Sequence, residues 1–360
     1  MEIERHSNRR VLKYNKFLRS DKVIGIPIDS TNEKSMLRQV KEETGFVPEK
    51  NLYTHWEFFD KMRIRDKVYE GYDGEGRLSI LKLEGIKVNI NEIDMIRAFE
   101  NQNKSTLIRA PKVYFAKKWS AKTGYGFILM EHVGDVPIFN TPFATHSDQD
   151  EYIRFYQDYK TRAVTKPFIV TNAQEKPLNV HFKRIDYHRR MCEAGGRLKL
   201  NDYAPYVMRY YYLISRHMNV YDTEFSHTLL FPEHILKQKD GMYVLIDHAS
   251  WRFTDKWADL SMNIWRSWMD IKDNSYTAEQ LIDLVESWKK AYKKMQIVQK
   301  DPQFDHRFYT LMLDRSISTI TADLGAGMKW GQPEYRPYLR HALKLQQQLF
   351  DYFVRKLEEF

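Results

Sequence analysis

The first third of the chain is patterned as β-strands. Short apolar or alternating segments follow one another and are separated by turn residues, of which Asp-Gly-Glu-Gly at 73–76 is the clearest. The segments predicted to be strands are 53–59, 68–72, 78–83, 111–115 and 125–130. The last of them is almost wholly apolar, which predicts a central strand that is buried on both faces.

From residue 135 onward the apolar positions recur at helical spacing. This periodicity predicts amphipathic helices, whereas the less periodic residues 164–182 are predicted to be a loop or a small subdomain. The predicted helices are one around Tyr152–Tyr159, a short basic one at 185–192, and others at 202–218, 260–269, 277–292, 304–324 and 336–359. A strand-rich beginning followed by a helical remainder predicts an α+β fold with two lobes.

The N-terminal residues 1–50 read as an extension ahead of this pattern. Val23–Pro27 is a candidate edge strand, because proline cannot donate to a β-ladder. Ser30–Glu33 has the form of a capping box, so we expect a helix that begins there and ends at Gly45. The expected role of this helix is to pack on the smaller lobe.

A predicted β-hairpin at residues 226–248 carries the largest concentration of candidate chemistry. Two apolar segments are separated by a polar one that ends in Asp240-Gly241, and glycine tolerates the positive φ that a hairpin turn requires. Polar clusters flank the hairpin at His227–His234 and at Asp247. Asp247 ends an apolar strand, where a solvated carboxylate has little structural purpose, so it is a candidate metal ligand.

Lys82 is a candidate functional cation. Strand alternation places it on the same face as Leu78 and Ile80, and an ammonium that is buried there needs a charged partner. A helix is predicted to begin at Asn91, with Glu92 in its first turn. Glu92 is the candidate partner.

Composition restricts the class of protein. A chain of 360 residues that is 42% hydrophobic can bury the cores of two lobes. No segment approaches the roughly 20 apolar residues that span a bilayer, so we expect no membrane insertion. The N-terminus lacks the apolar core of a signal peptide, and the single Cys192 suits a reducing compartment, so the expected location is the cytoplasm.

The formal net charge of +9 is compatible with several classes of anionic partner. Basic residues are densest at 183–199, where Arg189, Arg190 and Arg197 form a candidate site for an anionic ligand or for RNA. The simpler interpretation is a solvated basic surface.

The segment 226–259 resembles the catalytic segment of the aminoglycoside phosphotransferase and choline kinase family, which shares the protein-kinase-like fold. The matching residues are His227, Leu230, Pro232, Ile235, Leu236, Ile246, Asp247 and Asp259. The resemblance implies ATP and Mg²⁺ as cofactors and a small hydroxyl-bearing molecule as the phosphate acceptor. It also implies metal binding by Asp247 and by His234, and structural roles for His227 and Asp259.

The same resemblance gives roles to residues of the first lobe. Lys82 would align the nucleotide phosphates and pair with Glu92, and the backbone at Glu131, His132 and Val133 would form the hinge that meets adenine. The implied organisation is an extension at 1–50, a nucleotide-binding lobe at 51–133, and a helical lobe at 134–360 that carries the hairpin.

Three departures from the family pattern bear on activity. The position of the catalytic aspartate is Leu229, which cannot accept a proton or orient a hydroxyl. His234 replaces the usual metal-binding asparagine, and imidazole is a poorer Mg²⁺ ligand than an oxygen. No glycine lies between Phe59 and Tyr69, where the family approaches phosphates with backbone, although Arg63, Arg65 and Lys67 are available there. The candidates to replace the missing carboxylate are Asp222, Glu224, Glu233 and His227.

Three hypotheses follow from the sequence. The first is an ATP-dependent small-molecule phosphotransferase that is impaired by Leu229. The second is a pseudokinase that binds nucleotide or a partner without turnover. The third, which is weaker, is an RNA- or anion-binding protein that uses the basic residues at 183–199.

Overall fold

The computed structural model describes residues 26–58, 62–86, 91–141, 144–168, 177–218, 222–269, 276–326 and 337–360. Residues 23–25 of the expected edge strand lie outside these ranges. Ile28, just beyond that segment, forms an isolated antiparallel bridge with Ile64. Among the helices described, we find none with both the length and the apolarity to cross a lipid bilayer.

The described chain divides into two compact units. Unit 1 comprises the described residues up to Asp135 together with Gln238–Ala249, and unit 2 comprises Val136–Lys237 together with Ser250–Phe360. The predicted hairpin region is shared between them, because Asp247 belongs to unit 1 whereas residues 227–234 belong to unit 2. The domain boundaries expected from the sequence, at residues 50 and 133, stay predictions.

The secondary structure combines ten strands with ten helices among the described residues. The strands are β1 (Val47–Phe58), β2 (Met62–Tyr72), β3 (Leu78–Glu84), β4 (Ile108–Arg109), β5 (Val113–Lys117), β6 (Gly126–Glu131), β7 (Thr223–His227), β8 (Ile235–Lys237), β9 (Tyr243–Leu245) and β10 (Trp251–Asp255). The helices are α1 (Asn32–Thr44), α2 (Glu92–Gln102), α3 (His146–Asp158), α4 (Pro177–Gly195), α5 (Leu200–His217), α6 (Leu260–Met269), α7 (Ala278–Tyr292), α8 (Gln296–Gln299), α9 (Phe304–Ser318) and α10 (Leu339–Leu357). Short π-helical turns extend α3 through Ala163 and α9 through Gly325.

Unit 1 is built on a five-stranded antiparallel sheet in the order β1-β2-β3-β6-β5. The apolar segment at 125–130 is β6, which lies between β3 and β5, so the prediction of a central strand is confirmed. Alternation along β3 directs Leu81 and Leu83 to one face of the sheet and Ile80 and Lys82 to the other.

Helix α1 covers the face of the sheet that carries Leu81 and Leu83. Their core cluster consists of Ile28, Met36, Val40, Phe46, Tyr69, Leu81, Leu83, Tyr125, Phe127 and Leu129. The helix ends at Gly45 with φ of 71°, as predicted. The predicted capping box is wrong, because the side chain of Asp29 accepts from the backbone N–H groups of Thr31 and Asn32 instead.

Helix α2 lies against the opposite face of the same sheet. Ile93 on this helix packs with Ile128 and Met130 of β6, and Ile80 joins the cluster at its edge. Asn91 caps the helix by accepting the N–H of Ile93 at 3.1 Å. Glu92, the first residue of α2, forms an ion pair with Lys82, so its side chain lies on the sheet face that carries Lys82.

Unit 2 is helical apart from short strands, with β7 and β10 paired antiparallel. The predicted basic helix at 185–192 is longer in the structure, because α4 begins at Pro177 within the segment expected to be a loop. Proline is compatible with the first turn of a helix, where its missing N–H is not needed. Part of the expected loop, residues 169–176, lies outside the described residues.

A buried polar cluster connects four elements of unit 2. His181 on α4 contacts Asp255 of β10 through Nε2 at 2.6 Å and Asp314 of α9 through Nδ1 at 2.9 Å. Tyr210 on α5 donates to Asp314 at 2.6 Å, and Arg184 pairs with the same carboxylate. Burial lowers the pKa of His181, but Asp314 and Asp255 outweigh it and raise the pKa to about 9.

This histidine predicts a loss of stability at alkaline pH. The unfolded chain has a histidine pKa of about 6.5, so the stabilisation is complete below that pH and disappears as the pH rises through about 9. We expect the melting temperature to fall across this window, and His181→Gln to flatten that part of the profile. Thermal melts of both proteins at matched ionic strength provide the measurement, and equal slopes would contradict the prediction.

Candidate functional site

The candidate site in unit 1 is organised around Lys82. Its ammonium forms an ion pair with the Glu92 carboxylate and lies 3.6 Å from Oδ1 of Asp247. The side chain of Glu92 is 3% exposed and that of Lys82 is 13% exposed, so the pair is largely removed from water. The structure therefore brings together three residues that the sequence placed on a strand, a helix and the end of a hairpin.

Glu92 connects the cation to the segment that carries Asp247. While Oε2 pairs with Lys82, Oε1 accepts the backbone N–H of His248 at 3.0 Å. The ring of His248 is buried, contacts the carbonyl of Leu245 at 2.7 Å, and packs against Phe99 at 5.0 Å between ring centroids. These contacts hold the backbone on one side of Asp247. Sequence reasoning missed His248, since nothing in the pattern marks a backbone N–H as a partner for Glu92.

Asp247 has an unusual backbone conformation. Its φ is 59°, in the left-handed region that residues other than glycine rarely adopt. Its side chain remains 27% exposed. β9 ends at Leu245, so this conformation turns the chain directly after the strand. Strained residues of this kind are concentrated at functional sites, which supports the choice of Asp247 as a functional carboxylate.

The strain at Asp247 can be measured with two substitutions. Asp247→Gly and Asp247→Ala both remove the carboxylate, but only glycine tolerates the positive φ. We expect the alanine variant to be less stable by about 1–2 kcal/mol. Asp240 supplies the control, because its φ is not positive. The Asp240→Gly protein should therefore be no more stable than the Asp240→Ala protein. Chemical denaturation of the four variants tests the order, and a more stable Asp247→Ala would contradict it.

The charges around Lys82 are predominantly negative. Burial lowers the pKa of Lys82, but Glu92 and then Asp247 outweigh burial and raise it above its ordinary value. Burial raises the pKa of Glu84, two residues along β3, to about 7. Asp66 of β2 is opposite Glu84 in the register and is also buried. Lys82 is therefore charged at neutral pH and surrounded by carboxylates.

The expected hinge comprises the last residue of β6 and the two residues after it, and side-chain contacts hold this segment. Glu131 forms a two-point ion pair with Arg109 at 2.7 and 2.8 Å, and Nε2 of His132 contacts Glu70 at 2.8 Å. The carbonyl of Val133 accepts from the side-chain amide of Gln238 at 2.7 Å. A contact between this backbone and adenine stays a prediction.

The basic residues expected to contact phosphates near the β1–β2 turn have protein partners. Nε of Arg65 donates to Asp66 at 2.9 Å, and Lys67 pairs with Glu33 of α1 at 2.5 Å. Arg63 also takes part in a protein interaction. Lys67 lies on the face of the sheet that α1 covers, because it is opposite Leu83 in the register.

The first part of the catalytic-type segment, residues 227–234, lies in unit 2, as does Asp259. The backbone N–H of the buried His227 donates to the hydroxyl of Tyr159 at 2.8 Å. The carbonyl of Leu229 contacts Nδ1 of His234 at 2.8 Å, so one of the two ring nitrogens of that histidine is already used. Asp259 is fully buried and contacts Tyr156 at 2.7 Å and Lys160 at 3.1 Å, which suits the structural role expected of it.

Each carboxylate that was considered as a replacement for the missing aspartate is ion-paired. Asp222 pairs with Arg307, Glu224 with Lys160, and Glu233 with Arg266. Each of these carboxylates is therefore already engaged by a cation of the protein. These contacts do not support the replacement of the missing aspartate by one of these neighbouring carboxylates.

The basic residues proposed as an anion site are mostly neutralised within α4. Arg189 pairs with Asp186 and Glu193, and Arg190 also pairs with Asp186. These pairs reduce the local positive charge, which favours the interpretation as a solvated surface. An anionic ligand at Arg189, Arg190 and Arg197 stays a prediction.

Comparison with known proteins identifies the fold. The sequence matches no family model and no curated protein. Among solved structures, a thermostable mutant of aminoglycoside phosphotransferase APH(4)-Ia in a ternary complex with ADP and hygromycin B is similar with a TM-score of 0.55 and 11% identity. That similarity covers 89% of this chain and 98% of the other.

A second solved structure gives the same result. Macrolide 2′-phosphotransferase type I is similar with a TM-score of 0.50 and 11% identity, over 88% of this chain and 99% of the other. The α+β, protein-kinase-like fold expected from the sequence is therefore confirmed. Identities this low establish the fold, and function has to be argued from the site.

Proposed function

We propose that the chain binds ATP with Mg²⁺ through unit 1 and that its capacity for phosphoryl transfer is impaired. The observation that carries the proposal is the convergence of Lys82, Glu92 and Asp247 in unit 1. Phosphoryl transfer depends mainly on positioning and on neutralisation of phosphate charge. A buried ammonium that is oriented by one carboxylate and adjacent to a second is suited to that task.

The sheet face beside Lys82 offers an apolar surface for a nucleotide base. Cross-strand pairing places Val68 next to Lys82, and it places Tyr72 next to Leu78 on the same face. Tyr72 is 44% exposed and Leu78 is 38% exposed, so this part of the face remains accessible. An aromatic base that packs there would bury apolar area while its phosphates extend toward Lys82.

The residues present fit a magnesium ion that is held partly by substrate. Mg²⁺ commonly uses one or two carboxylates together with phosphate oxygens and water. Asp247 has a partly exposed carboxylate at the end of β9 and would hold the ion, which would neutralise phosphate charge. The described residues contain no cluster of three or more acidic, histidine or cysteine ligands, so phosphate and water would complete the coordination.

The proposed impairment rests on Leu229. In the resembled family this position orients the acceptor hydroxyl and receives its proton, and leucine does neither. The ion pairs of Asp222, Glu224 and Glu233 leave those carboxylates engaged. If transfer occurs, its acceptor is a small molecule with an alcohol or amino-sugar hydroxyl. The alternative is a pseudokinase that binds nucleotide with no turnover.

Ligand-dependent thermal stability tests the proposed nucleotide site. We expect ATP and Mg²⁺ at millimolar concentration to raise the melting temperature of the parent, because a ligand that binds only the folded state stabilises it. The shift should disappear in Asp247→Ala and persist in Asp240→Ala, which removes an exposed carboxylate from the same hairpin turn. No shift in the parent would overturn the proposal.

A further inference from the structure

We propose that the hydroxyl of Tyr53 donates a hydrogen bond to a phosphate of the bound nucleotide, and so replaces the backbone of the missing glycine-rich segment. The inference rests on the proposed nucleotide site and assigns to it a residue that the sequence pattern did not single out. Tyr53 would distinguish phosphorylated nucleotides from nucleosides.

The register of the sheet places Tyr53 on the same face as Lys82. Tyr53 on β1 is paired with Val68 on β2, and Val68 is paired with Lys82 on β3. Directly opposed residues of antiparallel strands share a face, so the three side chains form one row across the sheet. Because β2 lies between them, the backbones at Tyr53 and Lys82 are about 10 Å apart, a gap that a ligand held between the two long side chains can bridge.

The surroundings of Tyr53 fit a contact with a charged ligand. The residue is 60% exposed, so a ligand has access to it. Surrounding protein raises the pKa of its hydroxyl, and the charge of Asp247 raises it further. The hydroxyl therefore remains a protonated donor at neutral pH, within the electrostatic reach of the carboxylate proposed to hold Mg²⁺.

Tyr53 has an aromatic neighbour on the same strand. Its ring packs against His55 with 6.2 Å between ring centroids, and Nδ1 of His55 lies 3.2 Å from Oδ2 of the buried Asp66. A tyrosine on this face of β1 can supply a hydroxyl donor where close approach by glycine backbone is not available, since residues 59–69 contain no glycine. We therefore assign phosphate positioning to this side chain.

Binding of ATP, ADP and adenosine to the parent and to Tyr53→Phe tests the assignment. Calorimetry in the presence of Mg²⁺ should show ATP and ADP affinity reduced about tenfold or more in the variant, which is the usual cost of a lost hydrogen bond to a charged group. Adenosine affinity should change by less than about twofold, because adenosine has no phosphate. Tyr114→Phe is the matched control, because it removes the hydroxyl of a half-buried tyrosine on β5, at the opposite edge of the same sheet from β1.

The outcomes separate this inference from the proposal on which it rests. ATP binding to Tyr53→Phe that equals the parent's overturns the role of Tyr53 and leaves the nucleotide site intact. An equal loss of ATP and adenosine also overturns it, because the hydroxyl would then act on the whole site and not on phosphate. A parent that binds none of the three ligands removes the nucleotide site and this inference with it. If the parent and both variants have equal melting temperatures, loss of folding is excluded as the cause of weaker binding.

Discussion

Lys82→Met is expected to destabilise the protein and to abolish nucleotide binding. Methionine has a similar length but no charge, so Glu92 would be left buried without its cation. Removal of one partner from a buried ion pair typically costs about 3–5 kcal/mol. ATP with Mg²⁺ should then give no thermal shift, since the proposed phosphate-binding cation is gone.

Lys67→Met is the matched control for this experiment. Lys67 forms a similarly buried pair with Glu33, but it lies on the opposite face of the same sheet. The control should therefore lose stability and keep its response to ATP. Thermal melts of both variants with and without nucleotide provide the comparison. If Lys82→Met keeps the full ATP shift, Lys82 has no role in nucleotide binding.

Leu229→Asp is expected to raise ATP turnover. A general base that is within reach of an acceptor contributes about 10²–10⁴ in rate, and the substitution restores the carboxylate that the family pattern has at this position. Phosphate release from ATP measures the effect without knowledge of the natural acceptor, because water can replace it. Leu229 is half-buried at a turn, so aspartate is expected to be tolerated there.

Two further variants determine what a gain in turnover means. Leu229→Asn has nearly the same size as the aspartate variant but cannot accept a proton, so its rate should stay at the parent level. Asp247→Ala in the Leu229→Asp background should remove the gain, because both carboxylates are needed. Turnover in the parent that disappears on Glu233→Gln would show instead that a neighbouring carboxylate already supplies the base, despite its pair with Arg266.

Some elements of the protein were predictable because they depend on local sequence. The central strand β6 followed from an unbroken apolar segment, and the end of α1 followed from Gly45. The start of α4 was not predictable in the same way, since Pro177 reads equally well as a loop residue and as the first residue of a helix. The cap of α1 was also misassigned, because Asp29 and Ser30 are adjacent residues that can both cap a helix.

Some residues of the candidate site could likewise be predicted from local sequence, whereas others depend on contacts between distant parts of the chain. Lys82 was identifiable because a lysine in an apolar strand pattern needs a partner, and Glu92 was the nearest carboxylate on the following helix. The second contact of Glu92, with the N–H of His248, joins residues 156 positions apart in the sequence. The position of Tyr53 beside Lys82 likewise depends on strand register, which is not readable from the composition of β1 alone.

Three features could be predicted before folding was considered: the α+β class, the face of β3 that carries Lys82, and the absence of a carboxylate at position 229. These features depend on residue type and on the periodicity of strands and helices. Three others required the folded chain: Asp247 lies 3.6 Å from Lys82, its φ is 59°, and Asp222, Glu224 and Glu233 are ion-paired. Those features depend on contacts between distant segments, because folding pairs charges by their positions in space and not by their order along the chain.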